Sequence, residues 1–138
     1  MSRRTQRIEK LIQRSLTEFI NYRLSDPRID RQVIVTGVEV APDLTQAIVR
    51  LSASGASEPQ MRTIMRGLEA ARGKLGRLLG EVLTTRHVPR LDLRMDVGAI
   101  RARQTLAAIE EAMRQTPDRP ADDSSADPQS NTGQENNP

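Results

Sequence analysis

A chain of 138 residues, 36% of them apolar, suffices for one small domain. It has no cysteine, which excludes disulfides, thiolate metal sites and a thiol nucleophile, and it has no run of ~18 apolar residues that would span a membrane. Residues 1–115 carry 20 Lys or Arg against 13 Asp or Glu, a net +7, while 116–138 carry one against five, a net −4. The part rich enough in apolar residues to fold is therefore the basic part, which suits a polyanion such as nucleic acid.

Nineteen of the 21 basic residues are arginine. The planar guanidinium fork can bond two phosphate oxygens, although genome composition would give the same bias. Phe19 and Tyr22 are the only aromatic residues, so recognition by stacking bases on aromatic rings, as in RRM or OB folds, is not expected.

Ile8, Leu11, Ile12, Leu16, Phe19, Ile20 and Leu24 repeat at helical spacing and predict an amphipathic helix, with Ser2 as N-cap. Arg3, Arg7, Lys10 and Arg14 share another face of it. That face is either solvated or an RNA-binding surface. The N-terminus is basic without an apolar signal core, as expected of a cytoplasmic protein. Ser25-Asp26-Pro27 ends the helix, because proline disfavours helical geometry in the preceding residue.

Residues 32–40 are rich in β-branched types and predict a strand, with Gly37 marking a bulge or a close backbone approach. The turn Ala41-Pro42-Asp43-Leu44 leads into a second strand over 45–53. Ala47, Val49 and Leu51 share one face of it, and the short turn makes the pair an antiparallel hairpin. Ser57-Glu58-Pro59-Gln60 reads as a capping box that starts the next helix.

In that helix Met61, Ile64, Leu68, Ala71, Leu75, Leu78 and Val82 fall on one face. Ala71-Arg72-Gly73 interrupts it, and Gly76 and Gly80 follow. Glycine inside a helix costs about 0.5–1 kcal/mol relative to alanine, so this cluster predicts a bend or a place where something comes close. Gly73 is assigned to the backbone geometry of the bend, and Arg72, Lys74 and Arg77 to phosphate contact.

A loop over 84–89 ends the bent helix. Residues 90–97 alternate as a strand, with Leu91, Leu93, Met95 and Val97 facing inward and Arg90, Asp92, Arg94 and Asp96 forming a mixed-sign solvent face. A last helix over 99–115 carries Ala102, Leu106, Ile109 and Met113 on one stripe. From Thr116 on the chain is too polar to bury a core, and a disordered acidic tail over 116–138 is expected beside a domain over 1–115. The order helix–strand–strand–bent helix–strand–helix predicts an α+β fold, a three-stranded sheet packed by helices. Counting the bent helix as two gives the order of a type II KH domain.

Over residues 3–113 the chain resembles bacterial ribosome-binding factor A. The matching pieces are Asp26-Pro27-Arg28, the run VTGVEVAPDLTQAIVRLS over 35–52, Ala71-x-Gly73, Leu78-Leu79-Gly80, and Leu83-x-x-Arg86-x-Val88-Pro89-x-Leu91. Their order and spacing together carry the resemblance. It implies a non-enzymatic, cytoplasmic ribosome biogenesis factor that binds the free small (30S) subunit or its precursor. Such a factor assists late maturation of 16S rRNA, including processing of its 5′ region.

In that family the Ala-x-Gly kink stands where other KH domains carry a Gly-x-x-Gly loop. By resemblance the kink residues Ala71, Arg72, Gly73 and Lys74 would meet RNA, with Arg77, Arg86 and Arg90 beside them. Two departures stand out. The family's Ile-Arg two residues after the kink glycine is here Leu75-Gly76, with Arg77 one place later. Its Pro-Glu-Leu is here Pro89-Arg90-Leu91. Gly73-Lys74-Leu75-Gly76 reads as a coincidence beside the kink.

Other readings are a generic KH-type RNA binder and a basic protein-interaction module. Binding that weakens steeply with salt would favour RNA. His87, the only histidine, reads as an ordinary loop residue, and Arg94 between Asp92 and Asp96 makes a salt-bridged surface rather than a catalytic dyad. No cofactor, metal, membrane or small-molecule substrate is expected, and the protein should be a monomer.

Overall fold

A computed structural model describes residues 3–115. Its elements are α1 (Arg3–Tyr22), β1 (Val33–Val40), β2 (Gln46–Ala53), α2 (Glu58–Ala70), α3 (Arg72–Val82), β3 (Arg90–Met95) and α4 (Val97–Gln115). The order is the type II KH order read from the sequence. Ser2 and the polar tail lie outside the described residues. The chain divides into two units between Arg103 and Gln104, inside α4, and the second is described as far as Gln115.

In the first unit the sheet runs β1-β2-β3. β1 and β2 form the expected antiparallel hairpin, and β3 lies parallel to β2, with Gln46 opposite Arg90 and Leu51 opposite Met95. A parallel neighbour needs a crossover, which α2 and α3 supply. The register of β1 shifts between Val35 and Gly37, so Thr36 is the extra residue of a bulge. The bulge changes the phase of the strand: Val33 and Val35 face the core before it, Val38 and Val40 after it. Leu44 in the hairpin turn has φ 62, a left-handed conformation that costs a branched residue about 1–2 kcal/mol. Its side chain packs against the core and offsets that cost.

One apolar core holds the unit together. Ile12, Leu16 and Ile20 of α1 meet Val33 of β1, the β2 row Ala47, Val49, Leu51 and Ala53, and Met61, Ile64 and Leu68 of α2. Leu75 and Leu79 of α3 join them, with Leu91 and Leu93 of β3. α1 also seals the open edge of β1 with polar residues four and eight apart on one of its faces. Glu9 accepts from the N–H of Val40 at 2.9 Å, Gln13 donates to the carbonyl of Val35 at 2.8 Å, and Asn21 exchanges two hydrogen bonds with Val33. An edge strand covered in this way offers few free groups for pairing with another chain.

Several boundaries differ from the sequence reading. α1 stops at Tyr22, and Leu24 packs from beyond its end. β3 stops at Met95, so Val97 starts α4 instead of extending the strand. Asp96 is not a member of a solvent-facing row. It accepts from the N–H of Ala99 at 3.0 Å and from the Thr36 hydroxyl at 2.6 Å, so it caps α4 and holds the bulge. In the second unit α4 continues to Gln115, and its apolar stripe is exposed: Leu106 by 54%, Ile109 by 52% and Met113 by 68%. Periodicity predicted the helix but not what covers it.

Candidate nucleic-acid interface

α2 begins as the sequence predicts. The Ser57 hydroxyl accepts from the N–H of Gln60, and the Gln60 side chain accepts from the N–H of Ser57. The break falls at Ala71, with φ −94 and ψ 2, between helical and extended geometry. Its N–H is shared between the carbonyls of Gly67 and Leu68, while its own carbonyl accepts from Leu75. The bend is therefore carried by an alanine. Gly73 lies one residue inside α3 without a positive φ, which corrects its assignment to the backbone geometry of the bend.

The break also turns the apolar stripe. Beyond it Leu75, Leu78, Leu79 and Leu83 are buried, whereas Val82, expected on the core side, is 40% exposed. This turn sets Gly73, Gly76 and Gly80, spaced three and four apart, on the outward side of α3. A methyl group added at Gly76 would meet nothing within 4 Å, and one at Gly73 would meet only the tip of Arg77 at 3.9 Å. Neither glycine is required by packing. What they provide is bare backbone that a ligand can approach closely.

This bare strip is one wall of a groove of about 490 Å³. Val88 and Pro89 of the following loop and Leu91 of β3 form the opposite wall. Arg72, Arg77 and Arg90 supply its charge. Arg72 is steadied by Glu69 at 3.6 Å and by a long hydrogen bond of 3.4 Å to the carbonyl of Leu91. Arg77 and Arg90 make no ion pair among the described residues. Besides Glu69, a second acid stands close. Asp92 accepts from Arg94 at 2.8 Å, and this bond holds its carboxyl below the usual range against partial burial, helped by the charges of Arg94, Arg72 and Arg90.

Of the residues singled out in the sequence, Arg72, Gly73, Arg77 and Arg90 come together here. Ala71 stands at the head of the groove as the break itself. Lys74 does not line it: its Nζ donates to the carbonyl of Arg23 at 2.9 Å, beyond the end of α1. Arg86 is exposed on the loop that follows α3. Arg3 and Arg7 line a different groove, and Lys10 and Arg14 are exposed on α1 and line neither. Gly76, Gly80, Val88 and Pro89 were missed as site residues. The three-and-four glycine spacing was the signal that could have found the first two.

The bend is held from behind by Asp26-Pro27-Arg28. Arg28 clasps the Asp26 carboxylate at 2.6 Å, and the segment presses on α2 at Gly67, where an added Cβ would lie 3.0 Å from Ile29 and 3.3 Å from Arg28. Among the described residues no group of three His, Asp or Glu is placed to hold a metal, and no helix is long and apolar enough to cross a membrane.

The family model for ribosome-binding factor A matches residues 4–109. The chain belongs to the ribosome-binding factor A family. A ribosome-binding factor A of Roseiflexus sp. strain RS-1 is 41% identical over 132 residues, which are 92% of this chain and all of that one. That of Roseiflexus castenholzii is 45% identical over 97 residues, 70% of this chain and 73% of the relative. The crystal structure of ribosome-binding factor A from Thermus thermophilus is similar with a TM-score of 0.58 and 25% identity, over 66% of this chain and 93% of that one. A homology model of the Thermus thermophilus factor, fitted into a cryo-EM map of a 30S complex, is similar with a TM-score of 0.51 and 28% identity, over 62% of this chain and 88% of that one.

Proposed function

We propose that the protein is a cytoplasmic ribosome assembly factor. It binds the free 30S subunit or its precursor and assists late maturation of 16S rRNA, including processing of the 5′ region. It does so by binding and not by catalysis. The α3 groove meets the RNA: its arginines bond phosphate oxygens, and the bare backbone at Gly73 and Gly76 lets the sugar-phosphate chain lie against the helix. The observation that carries this reading is the pair of packing-free glycines between Arg72, Arg77 and Arg90. Membership of the family and the 30S complex of the Thermus factor support the choice of partner.

Cosedimentation with isolated small subunits, large subunits and whole ribosomes tests it. The protein should travel with small subunits, and its release should be steep in salt. Equal binding to large subunits, or binding indifferent to salt, would sink the reading.

A further inference from the structure

A second groove, of about 520 Å³, lies between the first turns of α1 and the end of α3. Arg3, Arg4 and Arg7 rim it, and Ile8, Leu11 and Leu83 give it an apolar floor. The three arginines have no ion pair or side-chain hydrogen bond among the described residues. Glu9, the only acid in the first three turns of α1, is turned away to the N–H of Val40 at 2.9 Å. The positive charge of this rim is thus left uncompensated by its own helix.

The two grooves share one loop. Thr84 and Thr85 close the α1 groove, and Val88 and Pro89 wall the α3 groove. Thr85 and Val88 are three residues apart, at most ~11 Å of chain. Between them Arg86 and His87 are exposed.

We infer that the α1 groove is a second subsite for single-stranded RNA, filled by the same strand that crosses the α3 groove. The inference rests on the function proposed above and extends it from one contact to a track. Guanidinium groups on the rim take the phosphates, and the apolar floor takes the face of an unpaired base, with an arginine plane stacking where no aromatic ring is present. A duplex keeps its bases stacked inside and leaves that floor empty. Two arginine-rimmed grooves with apolar walls, so close along the chain, match a polymer with regularly spaced phosphates better than an acidic protein segment.

Fluorescence anisotropy of the full chain with oligouridylates of about 4 and about 12 nucleotides, within the range of single-strand site sizes, tests the track. The parent should prefer the longer oligomer. The triple variant Arg3→Ala, Arg4→Ala, Arg7→Ala should bind the longer one about tenfold more weakly, with a salt slope lower by up to ~3, and should bind the shorter one as the parent does. The triple Arg→Lys variant should keep the slope, and Arg66→Ala, on α2 outside both grooves, should change nothing. An unchanged helical circular dichroism spectrum ties any loss to the groove.

Four outcomes overturn the inference: a triple variant that keeps the length preference, an abasic oligomer of equal length that binds the parent as well, duplex RNA that suffers the same loss, or an acidic peptide that competes with the longer oligomer only on the parent. If the parent binds neither small subunits nor RNA, the proposed function falls and this inference with it. An intact parent beside an unaffected triple variant removes this inference alone.

Discussion

The ammonium of Lys74 donates to the carbonyl oxygen of Arg23 at 2.9 Å and joins the first turn of α3 to the end of α1. A cation at a helix C-terminus contributes about 0.3–1 kcal/mol. Lys74→Ala should cost that much in urea unfolding and leave the salt slope of RNA binding unchanged. A slope lower by about 1 would return Lys74 to the RNA surface.

Arg77→Ala and Arg90→Ala should each lower the salt slope by about 1 and leave stability within about 0.5 kcal/mol. Asp92→Asn should act in the opposite direction. It removes a carboxylate whose field reaches both Arg72 and Arg90, so RNA should bind more tightly, most clearly at low salt where screening is weak. Titrations of labelled RNA at several salt concentrations separate these variants, and an Asp92→Asn protein that binds more weakly would place the strand elsewhere.

Two glycines should respond oppositely to alanine. At Gly76 the added methyl meets open space, so helix propensity should raise stability by up to about 1 kcal/mol while RNA binding weakens. At Gly67 it would meet Ile29, Arg28 and Asp26 together, and overpacking costs about 1–3 kcal/mol, which cancels or exceeds the propensity gain. Paired thermal melts decide it, and a Gly67→Ala protein more stable than the parent would contradict the crowding.

Acid should loosen the clasp behind the bend. The side-chain hydrogen bond from Arg28, with its backbone N–H and charge, lowers the Asp26 pKa to about 2, below the ~3.9 of an unfolded chain. A depressed carboxyl pKa contributes stability that is complete above about pH 4 and is lost as pH falls toward about 2. Asp26→Asn should be less stable than the parent at neutral pH and should lose less of its stability across that window. Urea midpoints that fall in parallel for both proteins would assign the acid sensitivity to other carboxylates.

Much of this architecture was legible because it rests on local pattern. The Ser57–Gln60 box, the hairpin, the bulge beside Gly37 and the buried face of α2 at Met61, Ile64 and Leu68 all follow from residue spacing. What sequence reading missed depends on partners distant in the chain. Helix register turns by about 100° per residue, so the break at Ala71 moved the buried set from Val82 to Leu83. Asp96 looked like one more strand residue until Thr36, sixty positions earlier, came within 2.6 Å. Of the five charged residues expected at or beside the kink, Arg72, Arg77 and Arg90 line the groove, while Arg86 and Lys74 do not. Lys74 could not be told from the others, because the carbonyl it bonds lies fifty-one residues earlier, just beyond the end of α1.

β3 pairs with β2 across a gap of some forty residues, whereas β1 meets β2 through a tight turn. Closing the longer loop carries the larger entropy, so the hairpin should form early and β3 should dock late. Pro89, Arg90 and Leu91 reach the groove only when β3 has docked. A newly made chain therefore acquires this wall of the groove at the end of folding, and chains caught part-way lack the surface proposed above to meet RNA.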